Sequence, residues 1–239
     1  MCCFEAEWGA VGVAEGIRVR FGSKIRQFPP PALPGAHQIH NAGMAVACIE
    51  NLKGFRVSSS AIAEGLANTV WPARLQRLGG GPLVSLLPAG WELWLDGGHN
   101  AAAGAALARV AREWRERDGG VGDPGDPGDP DDGGAADNRP LYLLYGMLDN
   151  KDRAGFLKPL ADYVRAARAV AIPGEAASLS AEQAAEGARA VHIRAAPASG
   201  MDAAVADIVA SARAEGVGAA RILICGSLYL AGAVLARHR

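Results

Sequence analysis

The chain has 239 residues, half of them hydrophobic, enough for one large domain or a domain plus part of another. Its 24 basic and 25 acidic residues leave a net charge of about −1, so no uniform field marks nucleic acid or an anionic membrane as a partner. No run approaches the ~18 apolar residues of a membrane span, and the start lacks a basic region followed by an apolar one.

Residues 8–21 carry strand-like apolar positions around Gly12 and Gly16. The proline-rich run 28–34 leads to a helical pattern over 36–53, in which Ile39, Ala42, Val46 and Ile49 share a face and Gly54 follows the end. Ser58, Ser59 and Ser60 offer a cap for a short second helix over 61–67. Trp71-Pro72-Ala73-Arg74 then interrupts the pattern, and the domain boundary is expected there, giving domains over 1–70 and 71–239.

Beyond Arg74 the rhythm changes. Strand-length apolar runs at 92–95, 141–145, 169–172, 191–193 and 221–225 alternate with alanine-rich helical patterns at 101–117, 154–167, 181–190, 202–215 and 228–237. Such alternation predicts an α/β fold, a Rossmann-like, mainly parallel sheet of five or six strands. The segment 119–137 repeats Gly-Asp-Pro three times and is expected to be a surface loop, since glycine, proline and aspartate bury too little to offset ordering entropy. The four cysteines, Cys2, Cys3, Cys48 and Cys225, lack metal-ligand spacing. Cys48 and Cys225 sit in apolar runs, which predicts buried free thiols and a reduced, cytoplasmic setting.

In open parallel sheets ligands settle beyond the carboxyl ends of the strands. Three such ends are conspicuous. Asp96-Gly97-Gly98-His99-Asn100 follows one strand, and its glycines admit close backbone approach while Asp96 suits a ribose hydroxyl and His99 a phosphate. Gly146-Met147-Leu148-Asp149-Asn150-Lys151-Asp152 follows a second, where Lys151 and Asp152 fit either an anionic substrate or a surface ion pair with a helix cap. Cys225-Gly226-Ser227 follows the third, with Ser227 at a helix start whose amides suit a carboxylate. Helix capping accounts for Asp96, Asn100 and Ser227 equally well. A dehydrogenase-type Gly-x-Gly-x-x-Gly follows none of these strands.

These three runs, together with Gly35-Ala36-His37-Gln38-Ile39-His40-Asn41-Ala42 and Trp71-Pro72-Ala73-Arg74-Leu75-Gln76, occur in an order and at intervals that resemble the folylpolyglutamate synthase/dihydrofolate synthase family of the Mur ligase superfamily. The resemblance spans nearly the whole chain. It implies a partial Mur-ligase central ATPase domain preceding the Rossmann-like one. It also implies ATP-dependent addition of L-glutamate to dihydropteroate or folate through an acyl-phosphate, with Mg²⁺ as cofactor. By the same resemblance Asn41 contacts adenine, Arg74 the ATP phosphates and Asp96 the ribose, His99 lies near the transferred phosphate, and Ser227 holds glutamate. Lys151 and Asp152 match a family motif on the substrate side. Two departures stand out: Ala73 replaces a glycine before the arginine, and Gly98 replaces a common alanine, an exchange expected to be benign. No phosphate loop of the form Gly-x-x-x-x-Gly-Lys-Ser/Thr occurs in the 239 residues, so the magnesium ligands are expected upstream and the chain is expected to be inactive alone. The competing reading is a non-catalytic nucleotide- or glutamate-binding module.

Overall fold

The computed structural model describes residues 8–119 and 139–238. The expected loop at 119–137 falls almost wholly outside them, as do Cys2 and Cys3. The chain forms two units, the first ending at Leu75 and the second beginning at Gln76. No helix among the described residues is long and apolar enough to cross a membrane.

In the first unit β1 (Trp8–Val13), β2 (Gly16–Phe21) and β3 (Lys24–Phe28) form an antiparallel meander in the order β1-β2-β3. Helix α1 (His37–Glu50) lies on it, and α2 (Ser59–Ala67) follows, its start capped by Ser58 accepting a hydrogen bond from Ala61 N at 3.1 Å. The core joins Ile17, Val19 and Phe28 of the sheet to Ala42 and Val46 of α1 and Ile62 of α2. Helix and sheet meet so closely at Gly43 that a Cβ there would lie 2.2 Å from that of Ala10. Cys48, expected to be buried, is exposed instead: it sits one step off the stripe of Ala42, Val46 and Ala47 that faces the sheet.

The second unit is a six-stranded sheet with helices. In chain order come β4 (Gln76–Leu78), β5 (Glu92–Leu95), α3 (Ala101–Asp118), β6 (Leu141–Tyr145), α4 (Arg153–Leu157), β7 (Val164–Ala169), α5 (Ala181–Arg189), β8 (Ala195–Pro197), α6 (Met201–Ala214), β9 (Arg221–Cys225) and α7 (Leu228–Arg237). The sheet order is β4-β5-β9-β6-β7-β8, and all pairings are parallel except β4 with β5. The mixed α/β class with a mainly parallel sheet is thus as the alternation predicted. The last strand, β9, inserts between β5 and β6, and at such a reversal of strand order the carboxyl ends of an open parallel sheet are where ligands generally settle.

Three expectations fail here. The helix expected over 154–167 stops at Leu157; a turn of 3₁₀ helix containing Pro159 follows, and Val164–Ala169 is a strand rather than a helix leading to one at 169–172. Alanine favours helix only weakly, and Ala166, Ala167 and Ala169 are buried between β6 and β8, where pairing decides the conformation. Likewise β8 forms at 195–197, not 191–193. Strands β3 and β4, too polar or too short to show a pattern, were not expected at all.

Candidate active site

Asn41 and Arg74 belong to the first unit. Gly35, at φ +106°, turns the chain into α1, where Asn41 Nδ2 donates to Gln38 Oε1 at 3.0 Å and Gln38 Nε2 lies 2.9 Å from His37 Nε2. Gln38 is buried and Asn41 exposed, so the network fixes an amide at the surface of α1. Arg74 is exposed, its guanidinium 5.8 Å from the ring centroid of Trp71. The neighbours Ala73 and Leu75 are buried at φ +57° and +44°, the left-handed region that costs a residue with a Cβ roughly 1–2 kcal/mol. A glycine, which the resemblance places before the arginine, would take this conformation without that cost, and this chain takes it with alanine.

The other five residues share one edge of the second unit. Asp96 N donates to Ile224 O at 2.9 Å, Gly226 N to Gly98 O at 3.0 Å and Gly146 N to Cys225 O at 3.3 Å, so the three strand-end turns are laced side by side. Gly226 has φ +105°, and a Cβ on it would come 2.6 Å from Gly146 O. These glycines therefore serve the approach of backbone to backbone, and the amides of Gly146 and Gly226 are used within the sheet rather than presented to a ligand. Gly98 is similar. Its amide donates to Asp96 Oδ1 at 2.7 Å, and an added Cβ would lie 2.8 Å from both that oxygen and the Ala103 Cβ. Glycine at 98, expected to be a benign departure, fits this turn, and an alanine here would need a local shift.

Asp96 is buried, at 6% exposure, while His99 is half-buried, with Nδ1 3.1 Å from Gly97 O. Asn100 caps α3 by accepting from Ala103 N at 2.9 Å. Ser227, 3% exposed, caps α7 by accepting from Tyr229 N at 3.0 Å. Asp152 caps α4 through Gly155 N at 2.9 Å, and a Cβ on Gly155 would touch that of Ala101 at 3.3 Å, which sets the start of α4 against the start of α3. The ion pair considered for Lys151 and Asp152 does not form. Lys151 is half-buried, and its ammonium has no partner among the described residues. Beneath the edge Cys225 is fully buried, and burial followed by the charge of Asp96 pushes its thiol far up, so it stays protonated and inert. The edge thus presents two long-helix amino termini, an imidazole and an ammonium, an arrangement suited to anionic groups.

Sequence reasoning passed over Leu228 and Tyr229, exposed on the first turn of α7 directly after Ser227. An apolar pair where helix starts are usually polar was the available signal. Among the described residues no group of three His, Cys, Asp or Glu is placed to hold a metal ion.

No family model matches the chain. A probable bifunctional folylpolyglutamate synthase/dihydropteroate synthase of Halobacterium salinarum is 40% identical over 76 residues, which is 32% of this chain and 8% of that one. In three dimensions the chain superposes on the Mycobacterium tuberculosis folylpolyglutamate synthase complexed with ADP with a TM-score of 0.73 at 24% identity, covering 98% of this chain and 48% of that one. The fold is that of the folylpolyglutamate synthases. E. coli FolC in complex with DHPP and ADP gives a TM-score of 0.68 at 21% identity, covering 98% and 46%. A bifunctional folylpolyglutamate synthase/dihydrofolate synthase with Mn, AMPPNP and L-glutamate bound gives 0.66 at 21%, covering 99% and 47%. The chain spans about half the length of these folylpolyglutamate synthases.

Proposed function

We propose that this chain is the carboxyl-terminal part of an ATP-dependent carboxylate–amine ligase that adds L-glutamate to dihydropteroate or a folate. The observation carrying this reading is the lacing of the Asp96–Gly98, Gly146 and Gly226–Ser227 turns into one strand-end edge, within a fold shared with folylpolyglutamate synthases over 98% of the chain. Binding of ADP, AMPPNP and L-glutamate by solved relatives agrees with it.

In this reading ATP phosphorylates the substrate carboxylate, the amine of glutamate attacks the acyl carbon, and inorganic phosphate leaves with the former carboxylate oxygen. No protein group becomes covalently linked, so catalysis rests on positioning and on charge stabilisation. Asn41 contacts adenine, Arg74 the phosphates and Asp96 the ribose. His99, with Nδ1 turned toward Gly97 O, offers Nε2 to the transferred phosphate. Ser227 and the first amides of α7 receive a carboxylate of glutamate, and Lys151 offers a cation on the substrate side, with Asp152 fixing the turn that carries it. Among the described residues none group into a magnesium site, and the 239 residues contain no phosphate-loop motif with its lysine. Losing even one such charge contact typically lowers phosphoryl transfer by about 10³-fold, so the chain alone is inactive.

The test is glutamate-dependent phosphate release with dihydropteroate or tetrahydrofolate, comparing this chain with the same residues fused behind a phosphate-loop-bearing amino-terminal half. Turnover by the fusion alone, abolished by His99→Ala, is expected. Robust turnover by the short chain would overturn the division of labour. Binding of L-glutamate without any turnover in the fusion would instead favour a non-catalytic nucleotide- or glutamate-binding module.

A further inference from the structure

A glutamine buried in a helix costs free energy that an apolar side chain would not, unless its amide is fully paired. Gln38 is 3% exposed on the first turn of α1, and both ends of its amide are engaged. Its Nε2 lies 2.9 Å from His37 Nε2, and its Oε1 accepts from Asn41 Nδ2 at 3.0 Å. The direction of this chain of bonds is fixed at its inner end. An amide nitrogen can only donate, so His37 Nε2 is the acceptor, and the Gln38 carbonyl is left facing Asn41. Asn41 is exposed; one of its N–H groups is spent on Gln38, while Oδ1, on the opposite edge of the amide, has no partner among the described residues. Turning the Asn41 amide over would set its carbonyl against that of Gln38, two acceptors with no proton between them. Packing alone requires none of this, since a methionine at 38 would fill a similar volume without a polar group to satisfy.

Resting on the reading under Proposed function, we propose that Gln38 is a positioning residue that holds the Asn41 carbonyl outward, and so selects a nucleotide whose base pairs an exocyclic amine with a neighbouring ring nitrogen. An asparagine amide held in this way presents an acceptor, Oδ1, beside the second N–H of Nδ2. A 6-aminopurine is its complement, with the amine donating to Oδ1 and N7 accepting from Nδ2. A 6-oxopurine is not, because its carbonyl would face the Asn41 carbonyl. Gln38 itself touches no ligand; it acts through Asn41, and His37 acts through Gln38.

The experiment titrates the whole chain with ADP and with IDP, whose bases carry an amino and an oxo group at the same ring position, and follows binding by NMR chemical shifts. The parent should favour ADP by about fivefold or more. Gln38→Met releases the Asn41 amide to turn over, and each orientation is then occupied about half of the time. ADP should therefore weaken by only about twofold while IDP tightens, which brings the two within about twofold of each other. Gln38→Leu should do the same, and Gln38→Glu, whose carboxylate still accepts from Asn41 Nδ2, should keep the preference for ADP. Tightening of IDP is the decisive readout, because damage to the helix would weaken both nucleotides. The proposal falls if Gln38→Met and Gln38→Leu keep the parent's preference, if they weaken both nucleotides alike, or if Gln38→Glu loses the preference as they do. A parent that binds neither nucleotide, that binds both equally, or whose preference survives Asn41→Leu is a different result: it removes Asn41 as the base contact, and with it the functional reading on which the inference rests.

Discussion

The two ends of the same strands in the second unit are built on opposite principles. At the amino ends of β5 and β9 the chain buries charge and satisfies it. Arg221, 3% exposed, donates to Glu92 at 2.9 Å and to both oxygens of Asp118, while lying 5.3 Å from the Trp114 ring. Glu92 also accepts from Trp94 at 2.8 Å and from Arg139 at 3.1 Å. At the carboxyl ends the turns are of glycine, and the polar side chains cap helices or face solvent. One end is closed and stabilises the sheet; the other carries the proposed ligand site.

This contrast predicts a ranking of effects in urea unfolding. Arg221→Ala should cost the most, about 3–5 kcal/mol, because it strands Glu92 and Asp118 without their shared cation. A loss below about 1 kcal/mol would show that the amino-end network is ornamental. Gly226→Ala comes next at about 2–3 kcal/mol, since its Cβ meets a backbone oxygen and its φ is left-handed. Ser227→Ala should cost about 1 kcal/mol through the lost cap. His99→Ala should change stability by less than about 0.5 kcal/mol, while abolishing turnover of the fused ligase. A His99→Ala variant as unstable as Arg221→Ala would erase the distinction between the two ends.

Acid sharpens the same comparison. Burial alone would raise the Glu92 carboxyl, but the hydrogen bond from Trp94 and the charge and hydrogen bond of Arg221 outweigh it and hold the group below the usual carboxylate value. A folded-state value below the unfolded one means that the stabilisation is present above the unfolded pKa of about 4.5 and disappears as pH falls through the lower folded value. Unfolding midpoints measured from pH 7 down to pH 3 should therefore drop in the last stretch, and Glu92→Gln should flatten that drop. The smallest effect concerns the segment between Asp118 and Arg139, both of which pin into this network. Replacing residues 121–137 by a short Gly-Ser linker should leave cooperative thermal unfolding intact, with a change under about 0.5 kcal/mol.

Much of this was readable from residue order alone. Strands 92–95, 141–145 and 221–225 and helix α7 fall where their patterns placed them, because continuous apolar runs and helical periodicity report burial directly. The Asp96, Gly146 and Ser227 turns were identifiable because the end of an apolar run marks the carboxyl end of a strand. By contrast β7, β8 and the short β4 follow from pairing with neighbours, which alanine-rich or three-residue segments cannot announce. The pairing of Arg221 with Glu92 and Asp118 joins positions 129 and 103 residues apart, and no local pattern encodes such a separation. The sequence by itself determined the α/β class, the strand-end turns and the residues placed there. Only tertiary structure decided that the glycines join turn to turn, that Asn100, Asp152 and Ser227 are spent on caps, and that Leu228 and Tyr229 stand exposed, because each depends on what the fold brings within a few ångströms.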